Sequence, residues 1–296
     1  MKKIDSLYFL VFFLLGFLNV TAQQNEVVIT VDNLSNDIYM LTGQGGNIGI
    51  YVGGEKVYMI DDQFERLSPK IKTAISSITS KPIAFLFNTH MHGDHTGGNI
   101  NFNNKETILI AHDNVRSSLS TKLAEKPELG VEILPEITFS EDITLYDADE
   151  TIIAFHVHNA HTDGDAMIYF TKNNVLHMGD TYFSGRYPYI DLKSGGSVDG
   201  YISAHKKALL LINDDTKIIP GHGRPSSQKE LASYTTMLEI IKTNVLKAIK
   251  EGKTLEEVQS DKQITSAYDA THGGGFINPE KIRATFYNSL KAGTQD

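Results

Sequence analysis

The chain has 296 residues, 41% of them apolar and 21% charged, with a formal charge of −9 and no cysteine, so it can bury a full core and is neither disordered, fibrous nor disulfide-stapled. An acidic chain lacks the cations that neutralise a phosphate backbone, which excludes nucleic acid as a partner and leaves a small molecule. Without a thiolate, any soft metal must be held by imidazole and carboxylate.

The first 22 residues read as a signal peptide. Lys2 and Lys3 form a short basic region, Leu7 to Leu18 is almost continuously apolar, and Val20-Thr21-Ala22 supplies small residues for cleavage. The run is shorter than the roughly 18 to 20 residues that span a bilayer, so the expectation is a mature chain from Gln23, periplasmic or secreted, with no stable membrane insertion. From there, Glu26 to Val31, Asp37 to Thr42, Asn47 to Val52 and Lys56 to Ile60 alternate or run apolar between Gly-rich breaks, as in an antiparallel meander. Leu67 to Ile78 carries apolar residues at helical spacing. Ile83 to Asn88 is a compact strand whose end opens into a histidine-rich loop.

Thr107 to Ala111 is a further strand, and Asn114 to Ala124 a helix. Strands follow at Ile143 to Tyr146, Ile152 to His158, Ala166 to Phe170 and Val175 to Met178, then a helix over Asp199 to Ile212 and a strand at Thr216 to Ile219. The order of strands, helix, strand, helix occurs twice. It predicts two half-domains, each a sheet with outer helices, packed sheet on sheet within residues 23–225. A long amphipathic helix from Gln228 to Lys250 and a helical tail to Leu290, broken at Gly273-Gly274-Gly275 and restarted at Pro279, make residues 226–296 an extension docked on the same domain.

The densest signal is Thr89-His90-Met91-His92-Gly93-Asp94-His95-Thr96-Gly97-Gly98-Asn99, where three imidazoles and one carboxylate fall within six positions of a chain that has eleven histidines. On a loop leaving a strand, His90 and His92 can face one metal while Asp94 and His95 turn to another. Zinc takes about four such ligands per ion, so two ions need residues from elsewhere. His161, Asp180 and His222 each follow a strand, on turns shaped by Gly164, Gly179 and Gly221-Gly223. Any one of them alone would read as a solvated turn residue. Together with the dense loop they read as ligands.

These motifs, in this order and spacing from about Glu26 to Gly223, resemble the metallo-β-lactamase superfamily. The resemblance implies a four-layer αββα sandwich with a site at one edge. It also implies that His90, His92 and His161 bind a first zinc, that Asp94, His95 and His222 bind a second, and that Asp180 bridges both, giving two Zn²⁺ per chain. Oxygen-reducing members of the family use iron and place a glutamate where His92 stands, so zinc is preferred. Two metals roughly 3.5 to 4 Å apart share a water and lower its pKa from 15.7 toward about 7, which predicts a bridging hydroxide attacking a carbonyl or phosphoryl centre. Asp94 is the expected catalytic residue, orienting the nucleophile and accepting its proton.

Tyr182, Phe183, Arg186 and Tyr187 follow Asp180 on what should be an overhanging loop. Tyr182, Arg186 and Tyr187 are expected to touch substrate, the alternative being loop packing. Asp62, at a strand end, is expected to hydrogen-bond a ligand histidine. His156 and His158 share a strand face but read as supporting or core residues, His112, His177, His205 and His272 as ordinary ones, and Gly273 to Phe276 as a turn.

Within the resembled family, the best-known β-lactamases carry cysteine where this chain has Asp180, and the glutathione thioesterases carry a larger, more basic C-terminal helical domain. An aspartate at that position together with export favours a carboxylic ester or lactone hydrolase first, a β-lactamase second, and a phosphodiesterase or thioesterase third. A non-catalytic metal-binding module is the remaining class, and such family members usually lose ligands. The chain itself leaves the oligomeric state open.

Overall fold

The computed structural model describes residues 26–292. The expected signal peptide lies outside them, and no helix among the described residues is long and apolar enough to cross a membrane. The first half runs β1 (Thr30–Asn33), β2 (Ile38–Thr42), β3 (Ile48–Val52), β4 (Val57–Ile60), α1 (Ser68–Ile78), β5 (Ile83–Phe87), α2 (Gly93–Thr96), α3 (Asn99–Phe102), β6 (Ile108–His112), α4 (Asp113–Glu125) and β7 (Ile137–Phe139). The second runs β8 (Asp142–Asp147), β9 (Glu150–His156), β10 (Ala166–Phe170), β11 (Val175–Phe183), α5 (Val198–Leu211), β12 (Lys217–His222) and β13 (Ser226–Ser227). Four helices close the chain: α6 (Gln228–Lys250), α7 (Leu255–Ser260), α8 (Ser266–His272) and α9 (Pro279–Ala292).

The strands form two mixed sheets, one of seven strands in the order β1 to β7 and one of six in the order β13-β12-β11-β10-β9-β8. Antiparallel pairing gives way to parallel pairing at β4–β5–β6–β7 and at β11–β12. Alternation along each strand sorts side chains into layers. In β4, Tyr58 and Ile60 face the inter-sheet core while Val57 and Met59 face outward onto α1. In the second sheet, Ile152, Ala154, Ile168 and Phe170 meet the first sheet, and Phe155, Met167, Leu176 and Met178 face the helices. Each fully buried apolar side chain of this kind contributes about 1.5 to 3 kcal/mol. The result is the αββα sandwich that the doubled order predicts.

The outer helices follow from spacing and caps. α1 turns Ile71 and Ile75 inward, four residues apart, onto the first sheet. α6 begins where the Ser227 side chain accepts from the Glu230 backbone N–H, and it buries Leu231, Leu238, Ile241 and Val245. The helices after residue 226 share one apolar cluster with the outer face of the second sheet, through residues such as Ile282, Phe286 and Leu290 of α9.

Several boundaries differ from the sequence expectation. β1 starts at Thr30 and not at Glu26, and β7 and β13 add strands that the sequence pattern does not signal. β11 runs on through Phe183, so Asp180 lies within a strand, past register shifts at Gly179, and not on a turn after it. β12 likewise extends to His222. At Gly179 a φ of +52° interrupts the pleat just before Asp180, where the register with β12 shifts.

Candidate active site

Parallel pairing sets the site. β5 lies between β4 and β6 and delivers the run His90–His95 past its C-terminal end, with Asp94 and His95 on α2, while β11 and β12 run side by side and bring Asp180 next to His222. His161 comes from the loop between β9 and β10. Backbone stitches lock the two sheets together here: Ala166 N–H donates to Thr89 O at 2.8 Å, and Asn47 N–H to Gly221 O at 2.7 Å. Gly221 is required for contact, since a Cβ at that position would lie 2.0 Å from Asp180 Oδ1.

Seven side chains converge in two groups: His90, His92, His161 and Asp180 in one, and Asp94, His95 and His222 in the other. Asp180 faces both. Its Oδ2 lies 3.6 Å from His161 Nε2 and 3.8 Å from His90 Nε2, and its Oδ1 lies 3.0 Å from His95 Nε2 and 3.3 Å from His222 Nε2. Asp94 Oδ2 lies 3.3 Å from His222 Nε2.

The outer ring nitrogens have defined partners. His95 Nδ1–H donates to Asp61 at 2.6 Å, His161 Nδ1–H to Tyr189 O at 2.8 Å and His92 Nε2–H to Asp191 at 3.1 Å, all acceptor-only oxygens. The Thr89 hydroxyl donates to Asp61 at 2.8 Å and therefore accepts from His90 Nδ1–H at 3.0 Å. Each ring thus turns its other nitrogen inward, where a cation can bind once any proton on it is lost. His161 Nε2 and His92 Nδ1 face each other at 2.9 Å, where two lone pairs repel unless a positive centre lies between them. Among the described residues, buried His90 Nε2 has no hydrogen bond, and buried His95 Nε2 and Asp180 Oδ1 have no partner beyond each other at 3.0 Å. Imidazole and carboxylate donors aimed inward in this way fit a borderline metal such as zinc and not calcium or magnesium, which prefer oxygen cages.

Electrostatics divides the cluster. Burial, with His95 and His161 beside it, holds His90 well below the usual histidine range, and burial takes His161 down to about 4. For His95 and His222 burial pulls downward but Asp180 overrides it, with Asp61 lifting His95 well up and Asp94 helping His222 up to about 9. Burial would raise Asp94 and Asp180, yet His222 and His95 hold both carboxyls ionised below their normal range. Protons on this side occupy the positions that cations compete for.

The surroundings differ from expectation in three places. Asp61, not Asp62, holds a ligand histidine: just past β4 it takes a left-handed φ of +61°, and its carboxyl meets His95 Nδ1 at 2.6 Å. Asp62 instead accepts from Gly98 N–H at 2.7 Å, and burial pushes its carboxyl well up. Tyr182 turns away from the metal pocket, 2% exposed, with its hydroxyl 2.8 Å from Ser226 Oγ. Tyr187 does line the pocket, but its hydroxyl is bonded to Asp269 at 2.8 Å, leaving only its ring as wall. His156 stacks on His112 at 3.8 Å, and exposed His158 lies near Glu141.

Above the donors opens a cavity of about 520 Å³, lined by His92, Asp94, Asp180 and His222 on its floor and by Phe64, Phe183, Arg186, Tyr187, Tyr189, Phe276 and Ile277 on its walls. Asp191, Tyr189, Phe64 and Phe276 are site residues that sequence reasoning misses. Asp191 and Phe64 have no motif around them, and Phe276 sits beside glycines that signal only a turn.

A family model described as the metallo-beta-lactamase superfamily matches residues 41–222. Among solved structures, a metallo-beta-lactamase from Pontibacter korlensis superposes with a TM-score of 0.61 at 16% identity, over 71% of this chain and 99% of that one. The DIM-1 metallo-beta-lactamase gives 0.61 at 18% identity, over 72% of this chain and 99% of that one. The stereoselective inverting sec-alkylsulfatase Pisa1 from Pseudomonas sp. gives 0.70 at 14% identity, over 88% of this chain and 50% of that one. At these identities the likeness is one of fold.

Proposed function

The chain belongs to the metallo-beta-lactamase superfamily, and on that premise we propose that it is an exported two-zinc hydrolase of carboxylic esters or lactones, periplasmic or secreted. The observation that carries the two-metal reading is Asp180, whose two oxygens face different histidine pairs. His90 Nε2, His92 Nδ1, His161 Nε2 and Asp180 Oδ2 would hold one zinc, and Asp94, His95 Nε2, His222 Nε2 and Asp180 Oδ1 the other. When bound, the pair supplies an activated water at neutral pH and an electrophilic face for a carbonyl oxygen.

The chain's own residues do the rest. Asp94, 28% exposed by side chain and lining the cavity, can reach substrate, orient the attacking water and take its proton. Asp61, Asp191, Tyr189 O and Thr89 keep the four rings in one tautomer and orientation. The aromatic walls exclude bulk water from the floor. Asp180 in place of a thiolate favours ester or lactone over β-lactam, and the sec-alkylsulfatase likeness adds sulfate esters to what must be tested.

The test is a screen of zinc-loaded protein on lactones, carboxylic esters, nitrocefin-type lactams, phosphodiesters and alkyl sulfates, with metal content measured in parallel. The expected result is two zinc per chain and chelator-sensitive turnover, fastest on a lactone or ester. Faster turnover of another class would replace the substrate assignment. Activity surviving complete metal removal, or one or fewer zinc with no hydrolysis, would defeat the enzyme reading. Export is checked separately by sequencing the N-terminus of the protein recovered outside the cytoplasm, where cleavage before Gln23 is expected.

A further inference from the structure

From the walls of the cavity, we infer that the C-terminal extension completes the substrate pocket, so that it takes a monoanionic molecule with an apolar body, Arg186 binding the anion and Phe276 packing the body. This rests on the hydrolase reading for its chemistry but not for its binding geometry.

Three observations carry it. Of the residues lining the cavity, only Arg186 is a lysine or arginine, and its guanidinium has no hydrogen bond or ion pair among the described residues, although the loop around it is firmly tied. Tyr187 N–H donates to His272 O at 2.9 Å, the Tyr234 hydroxyl to Arg186 O at 2.9 Å, and the Tyr187 hydroxyl to Asp269 Oδ1 at 2.8 Å. The extension therefore fixes the backbone of Arg186 and leaves its charge free. A guanidinium in this position offers a carboxylate its planar fork of donors.

Phe276 lies on the loop between α8 and α9 and is 75% exposed, yet it is not loose. Its ring meets Tyr189 edge-on at 5.9 Å, and Lys281 lies over it at 4.5 Å while donating to its carbonyl at 3.1 Å. Tyr189 in turn holds His161 through its carbonyl, so this apolar wall is continuous with the donor cluster. A large aromatic ring kept exposed at the mouth of a cavity of about 520 Å³, within the usual range for small-molecule sites, is a surface awaiting an apolar ligand. Among the described residues, the only carboxylates lining the cavity are Asp94 and Asp180, on its floor. Arg186 stands on the wall and not among the donors, so an anionic substituent held there leaves the rest of the molecule free to reach the floor.

The experiment measures calorimetric binding of N-hexanoylglycine and of its neutral analogue N-hexanoylglycinamide to the zinc-loaded chain, to Arg186→Gln and to Phe276→Ala. Expected is binding of the anion that weakens about tenfold or more in Arg186→Gln, with little change for the neutral analogue, and weakening of both ligands in Phe276→Ala. Both side chains are exposed, so unaltered thermal midpoints are expected, and a midpoint drop would be met by the milder Phe276→Leu, which should restore binding. Equal anion binding by wild type and Arg186→Gln would overturn the inference, because an anion that merely coordinates metal is indifferent to Arg186. No binding by wild type would overturn it too. Binding as described without turnover of any ester or lactone would leave the pocket standing and remove the hydrolase assignment.

Discussion

Beneath the floor of the pocket, His90, His95 and His161 are at most 1% exposed and each has its outer nitrogen committed to a partner; on the wall, Phe276 is 75% exposed and Arg186 has no side-chain partner among the described residues. The floor hangs on strand ends stitched across two sheets. Arg186 and Phe276 on the wall come from two segments tied together by hydrogen bonds such as Tyr187 N–H to His272 O. Burial makes the floor intolerant, because each polar atom removed strands another in low dielectric. Exposure makes the wall permissive, so substrate preference can change there without disturbing the donors beneath.

That contrast breaks most sharply at Asp180. Asp180→Ala removes the oxygens shared by both groups, and metal analysis is expected to show loss of both ions with turnover at background for every substrate. Two ions retained in that variant would show that the floor does not depend on a shared ligand. Asp94→Ala comes next, with kcat expected to fall by about 10² to 10⁴-fold if it handles the proton. A near wild-type rate there would remove its role. Asp61→Asn tests the support beneath the floor: Asn tolerates the φ of +61° at this position, and metal affinity should drop about 10- to 100-fold. Competition with a fluorescent chelator measures it, and unchanged affinity would mean that the hydrogen bond to His95 does no positioning. The wall should respond least in stability. Phe276→Ala is expected to shift unfolding free energy by no more than about 0.5 kcal/mol, while KM across straight-chain esters rises more steeply as the acyl chain lengthens. A flat response would mean that the ring touches no substrate.

Legibility divides along the same line. The His90–His95 run is readable because its residues are neighbours in the chain, and His161, Asp180 and His222 because each follows an apolar run with a glycine close by, although β11 and β12 carry the last two within them. The doubled order of strands and helices likewise announces two sheets with outer helices. Asp61 against Asp62 is not readable, because which of two adjacent carboxylates turns back depends on a left-handed φ that either could adopt. Tyr182 and Tyr187 look alike in sequence. Only packing turns one phenol to Ser226 and the other to Asp269.

Local chemistry in the chain therefore determined the donor types, the strand and helix periods and the doubled order that yields two sheets. Tertiary structure alone decided that Asp180 faces two histidine pairs, that Asp191 and Tyr189 orient their rings, and that a loop near residue 276 closes a pocket whose floor begins near residue 90. The reason is physical: residue type and spacing act over a few bonds, whereas a wall shared by distant loops exists only once burial of the core has offset the entropy of bringing them together.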